Sequence, residues 1–175
     1  MAKSKTEIKE KLDRQKKEGD NASNKALELA KLAEKTKATL ESMQGEATSE
    51  AAKSIESAAV NFQQNLDMRS QQAENQADKI NNELEKDQQQ LEKASNADRD
   101  DNKKLGALRN EAVKAGVGTE GIDKAEKAKI DEITFLGDES KDVEESQQEM
   151  QKHLTEARQK RQSAKFKYQS RNTLG

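Results

Sequence analysis

The sequence predicts an all-α protein, an elongated helical hairpin or thin bundle with coiled-coil-like heptad seams. Three observations carry that expectation. There is no proline in 175 residues, so nothing removes a backbone donor or locks a kink into a helix. The chain is rich in Ala, Glu, Lys and Gln, which lose least on entering a helix. Apolar residues are sparse, at 30% with 2% aromatic, yet they recur three and four apart over long stretches.

The first element is read from Ile8, Leu12, Gln15, Gly19, Ala22, Ala26, Leu29, Ala33, Thr36, Leu40 and Met43, which keep strict 4,3 spacing. Gly19-Asp20-Asn21 divides them into helices near 4–18 and 22–44, although the kept phase also allows one continuous helix. Gln44-Gly45 offers a stop, with Thr48 or Ser49 as the next cap. From there a long central helix is expected over about 49–94, with Ile55, Phe62, Leu66, Ile80, Leu84 and Leu91 among its seam residues and a stutter at Ala58, Phe62 and Leu66. At about 1.5 Å per residue it would reach roughly 65–70 Å.

The polar run Ser95–Asn102 predicts a loop, followed by a short helix over 101–115. The glycine cluster Gly116–Gly121 predicts a turn, and a second short helix is expected over 121–134, closed by Gly137. The return helix, over about 138–170, carries Leu136, Val143, Met150, Ala157 and Ala164 seven apart, with Gln147, Leu154, Arg161 and Tyr168 between them. The whole chain, 1–175, is expected to form one extended unit. Its segments are the N-terminal heptad helices (1–45), the central helix (46–95), the short helices and hinge (96–137), and the C-terminal helix with its basic tail (138–175).

Charged residues make up 38% of the chain at a net charge of −2, and the charge is unevenly placed. Thr119–Glu149 sums to −7, and Thr155–Gly175 sums to +5, a polarity that favours staggered association or docking onto an acidic surface. Arg158, Lys160, Arg161, Lys165, Lys167 and Arg171 are the candidate anion- or partner-docking residues. A solvated helix end is the plain reading of this arm; docking onto protein comes next, and nucleic acid or an anionic membrane ranks lower.

Several motifs carry less than they suggest. Asp98-x-Asp100-x-Asn102 opens like a calcium loop, but Lys103 and Arg109 stand where the loop needs Gly and a bidentate Glu. Gly116-x-Gly118-x-x-Gly121 has the spacing of a dinucleotide fingerprint without a preceding strand. His153, the one histidine, borders the seam beside Leu154. Without cysteine there is no disulfide or thiolate metal site. No catalytic, cofactor-binding or metal-binding residues are assigned, and no small-molecule substrate is expected.

The composition resembles that of small helical proteins of bacterial specialised secretion systems, among them filament, translocator and export-chaperone subunits. The resemblance covers composition and pattern, and the Trp-x-Gly turn of one such group is absent. The expected function is that of a non-enzymatic structural or interaction protein, working through helix–helix association with itself or a helical partner. The interface is expected at Leu29, Leu40, Ile55, Phe62, Leu66, Ile80, Leu84, Leu91, Val143, Met150 and Leu154. A secretion-system subunit, chaperone or exported substrate is the alternative, and nucleic-acid binding through the basic tail is a third. With no apolar leader segment at Met1 and no apolar run near 18 residues, the expected location is the cytoplasm, or outside it by export without a cleavable signal.

Overall fold

Ser4 begins the first helix by accepting the Glu7 N–H on its hydroxyl, the arrangement of an N-cap with Glu three residues on. The computed structural model describes residues 4–46 and 48–174, with side chains described as far as Lys165. Three helices account for nearly all of them: α1 (Lys5–Glu46), α2 (Ser49–Lys114) and α3 (Glu120–Leu174). No strand occurs among the described residues, and the chain is all-α as its composition requires.

The two connections are short and locally specified. Thr48 caps α2, its hydroxyl accepting from the Ala51 N–H at 3.4 Å and its carbonyl from the Ala52 N–H. Between α2 and α3, Gly116 adopts φ +72°, a left-handed conformation that suits glycine. Its N–H reaches the Val113 carbonyl, and the Val117 N–H reaches the Ala112 carbonyl at 2.9 Å. That crossed pair is a Schellman stop. The GxGxxG spacing is therefore a helix–turn–helix connection.

Three expected breaks are corrected. α1 runs through Gly19-Asp20-Asn21 without a break. Gly19 is buried, and a Cβ placed there would overlap Met150 Sδ and lie 3.2 Å from Ile80 Cγ2. It serves close packing against Met150 and does not end a helix. The polar run 95–102 is helical, so the long helix reaches Lys114 and the separate helix at 101–115 does not exist. Asp98 and Asp101 accept from Lys129 of α3 at 3.0 Å each, and this tertiary pairing outweighs their weak helix propensity. Likewise Gly137 lies inside α3, which joins the expected helices at 121–134 and 138–170 into one.

The chain divides into two units, residues 1–16 with 82–146 and residues 17–81 with 147–175. In the second unit α1 and α3 run parallel, since Ser23 meets His153 and Glu34 meets Lys160. α2 runs against both: Ser70 meets Ala26, Gln63 meets Ala33, and Arg158 meets Glu74. This is an up–down–up three-helix bundle. Its α2 seam is Ala59, Gln63, Leu66, Ser70, Ala73, Ala77 and Ile80, all buried and in unbroken 4,3 spacing. The expected stutter is absent. Phe62 is corrected with it: the ring is 46% exposed, because the frame gives Gln63 the inward position.

In the first unit the same three helices meet again. Lys5 lies over the Phe135 ring at 5.6 Å and Lys9 pairs with Glu139, so α1 and α3 are again parallel. Lys11 pairs with Asp87 at 3.4 Å, and Gln88 donates to Ser140. The buried apolar residues here are Leu12, Leu84, Leu91, Leu136 and Val143.

Candidate functional site

Two features stand out in the bundle, a buried polar cluster in the second unit and uncovered apolar side chains in the first. The second unit supplies the densest polar cluster. α1 offers it a floor of small residues, Ala22, Ser23, Ala26, Ala30 and Ala33, all buried, so neighbouring side chains reach α1 backbone carbonyls. Gln63 Nε2 donates to Ala33 O at 2.6 Å and Ser70 Oγ to Ala26 O at 2.7 Å. Such carbonyls still hold a free lone pair after the helical bond.

Arg161 enters this layer from α3. Its guanidinium donates to Ser70 Oγ at 3.0 Å and to Glu74 Oε1 at 2.6 Å, and lies 3.9 Å from Asp67. Burial pushes the Glu74 carboxyl up, but hydrogen bonds and charge from Arg161 and Arg158 outweigh it and hold the group below its ordinary value. Burial and the neighbouring Glu74 charge push Asp78 the other way, upward.

The expected docking arm is changed by this. Arg161 is 8% exposed and belongs to the bundle interior. Arg158 pairs with Glu74 at 3.1 Å, Lys160 with Glu34 at 3.1 Å, and Lys165 with Asp67 at 3.1 Å. These four therefore pair α3 with α1 and α2, Arg161 from the interior and Arg158 and Lys165 from the surface. Lys167 and Arg171 lie outside the described side chains. His153 sits at the seam edge between Ser23 Oγ at 3.2 Å and Glu149 at 3.4 Å.

Of the expected interface residues, Leu29, Leu66, Ile80, Leu84, Leu91, Val143, Met150 and Leu154 are buried within the chain's own bundle. Leu40 and Ile55 are half-buried. Those seams hold the three helices together, and surfaces for another molecule must be sought elsewhere.

One such surface lies at the α2–α3 turn in the first unit. Because Lys11 is level with Asp87 and α2 runs against α1, Lys5 is level with about Lys93. Beyond that level α2 and α3 continue as a two-helix hairpin with no third helix among the described residues. None of the residues between Asp98 and Leu136 is buried. Leu108, Val113, Val117 and Ile130 are all more than half exposed. Ion pairs join the two helices of the hairpin: Arg109 bridges Asp123 and Glu126, and Lys129 bridges Asp98 and Asp101. Hydrogen bonds to the two carboxylates raise the Lys129 pKa above its ordinary value.

Between α2 and α3 below this hairpin is an open groove of about 350 Å³, lined by Leu91, Glu92, Ser95, Arg99, Leu136 and Ser140 among others. It brings together no nucleophile–base pair and no facing carboxylates. No group of three or more metal-ligating side chains occurs among the described residues, and no helix there is long and apolar enough to cross a membrane. The hairpin surface was not read from the sequence, although the unbroken 4,3 frame Leu91, Ser95, Asp98, Asn102, Leu105, Arg109, Ala112 signalled it. No protein-family model, no curated protein and no solved structure matches this chain.

Proposed function

We propose that the protein is a non-enzymatic structural or interaction protein that works by helix–helix association. The observation that carries this reading is the α2–α3 hairpin tip, where Leu108, Val113, Val117 and Ile130 stand exposed with no third helix beside them. A two-helix hairpin leaves much of its apolar surface wet, and a further helix recovers that burial at about 25 cal/mol per Å². The internal ion pairs of Arg158, Lys160, Arg161 and Lys165 favour this reading over nucleic-acid binding, which needs cations free to meet phosphates.

The test compares the full chain with a Leu108→Glu/Val113→Glu/Ile130→Glu variant. Sedimentation velocity follows self-association, affinity capture follows helical partners, and circular dichroism verifies that helicity is kept. The variant is expected to lose whichever association the parent shows. A parent that associates with nothing, or a variant that associates equally well, would overturn the reading.

A further inference from the structure

The place that α1 occupies in the first unit continues past its end as an open trough. Lys11 of α1 meets Asp87 of α2, and the heptad successors of Asp87 are Ala94, Asp101, Leu108 and Ala115. On α3 the residues met by Lys5 and Lys9 are Phe135 and Glu139. One and two heptads before them stand Ala128, Gly121, Glu132 and Ala125. Below Ser4 the helix α1 fills this trough. Beyond the described start of α1 most of these positions are Ala or Gly, small enough for another helix to approach closely, with Asp101 and Glu132 among them and Leu108 51% exposed.

We infer that the trough receives the same hairpin tip from a second copy of this chain, packed antiparallel about a two-fold axis. The inference rests on the association reading above and names its partner. Two arguments select a second copy. Residues 99–134 carry equal numbers of acidic and basic side chains, for a net charge of zero, so the tip offers no complement to a partner of one dominant sign. The charges are also self-complementary: an antiparallel α2 pairing centred between Ala107 and Leu108 sets Asp101 opposite Lys114 of the second copy, and Lys104 opposite Glu111 of the second copy. A two-fold contact of this kind closes on itself as a dimer.

Sedimentation of the purified full-length chain over a wide concentration range tests this. A monomer–dimer equilibrium is expected. Leu108→Glu in the trough should weaken it at least about tenfold, roughly 1.4 kcal/mol. Asn110→Glu should leave it unchanged, because Asn110 shares a heptad column with Asn96 in the groove that no α1 residue lines. In this cysteine-free chain, Leu108→Cys should give a disulfide-linked dimer under mild oxidation, and Val113→Cys should not. A monomer at every concentration would overturn the second copy as occupant, and tip-dependent capture of another helical protein would then leave the broader association reading standing. A dimer lost with Asn110→Glu and kept with Leu108→Glu would overturn the trough as its seat.

Discussion

Replacing Arg161 by Met should destabilise the protein at neutral pH by about 2–3 kcal/mol. Removing one member of a buried ion pair typically costs about 3–5 kcal/mol, because the other charge is left unpaired. Here the loss is smaller. Glu74 keeps Arg158 at 3.1 Å, Asp67 keeps Lys165 at 3.1 Å, and Ser70 still donates to Ala26 O. For a chain of this length that corresponds to a fall of about 5–10 °C in melting temperature. The pH dependence carries a definite sign. Glu74 titrates lower in the folded state, so its contribution is fully present above the ordinary value of 4.5 and is lost as the pH falls through the depressed one. The gap between parent and variant should therefore be constant above about pH 5 and narrow below it. Asp78 has a raised pKa and acts in the opposite sense in both proteins. Urea unfolding followed by circular dichroism, at neutral pH and near pH 3, measures the gap. The double change Arg161→Met/Glu74→Leu, which removes both charges, should recover much of the loss. Equal stability of Arg161→Met and parent at neutral pH, or a gap that stays the same in acid, would refute the reasoning.

The glycines should separate by environment. Gly19→Leu forces a side chain into the space of Met150 and Ile80 and should cost about 1–3 kcal/mol, whereas Gly106→Ala, with nothing near its added Cβ, should stabilise α2 by up to about 1 kcal/mol; thermal melts of the two order them. Leu84→Ala should cost about 2–5 kcal/mol at a fully buried position. Phe62→Ala, despite removing a larger side chain, should cost under about 1 kcal/mol because the ring is already half in water; urea midpoints decide.

The frame of the heptads was the legible part of the fold, and it was more reliable than local composition. Ile122, Glu126, Lys129, Ile133, Leu136, Ser140 and Val143 keep 4,3 spacing straight through Gly137, and α3 is continuous there. The polar run at 95–102 reads as a loop only when each residue is weighed for its own propensity. Its frame positions Ser95, Asp98 and Asn102 carry the seam through, and Asp98 is buried against Lys129. Gly19 misleads for the same reason, since its value lies in the volume of Met150 across the bundle, which no neighbouring residue encodes. The two turns declared themselves locally, Thr48 by capping α2 and Gly116 because its φ of +72° disfavours other residues. The hairpin surface was hidden at a further level. That Leu108 is uncovered depends on where α1 begins relative to α2, a length relation between residues about a hundred apart in sequence.

The polar layer then answers a question the apolar seam leaves open. With Ala at so many inward positions, apolar packing discriminates weakly between registers one heptad apart. Arg161 discriminates strongly. In the observed register it meets Ser70 and Glu74. Sliding α3 along α2 by one heptad brings it level with Ala77 or Gln63, and strips the buried guanidinium of its Ser70 and Glu74 contacts. Gln63 and Ser70 act likewise on α1, each bonded to one backbone carbonyl. In the slide toward Gln63, Asp67 takes the place of Glu74, whereas in the slide toward Ala77 Asn81 takes it, so Arg161 discriminates more sharply against the second, where a buried charge loses its carboxylate at a cost of several kcal/mol. The buried polar side chains thus favour the observed register, while the buried leucines between them supply apolar stabilisation.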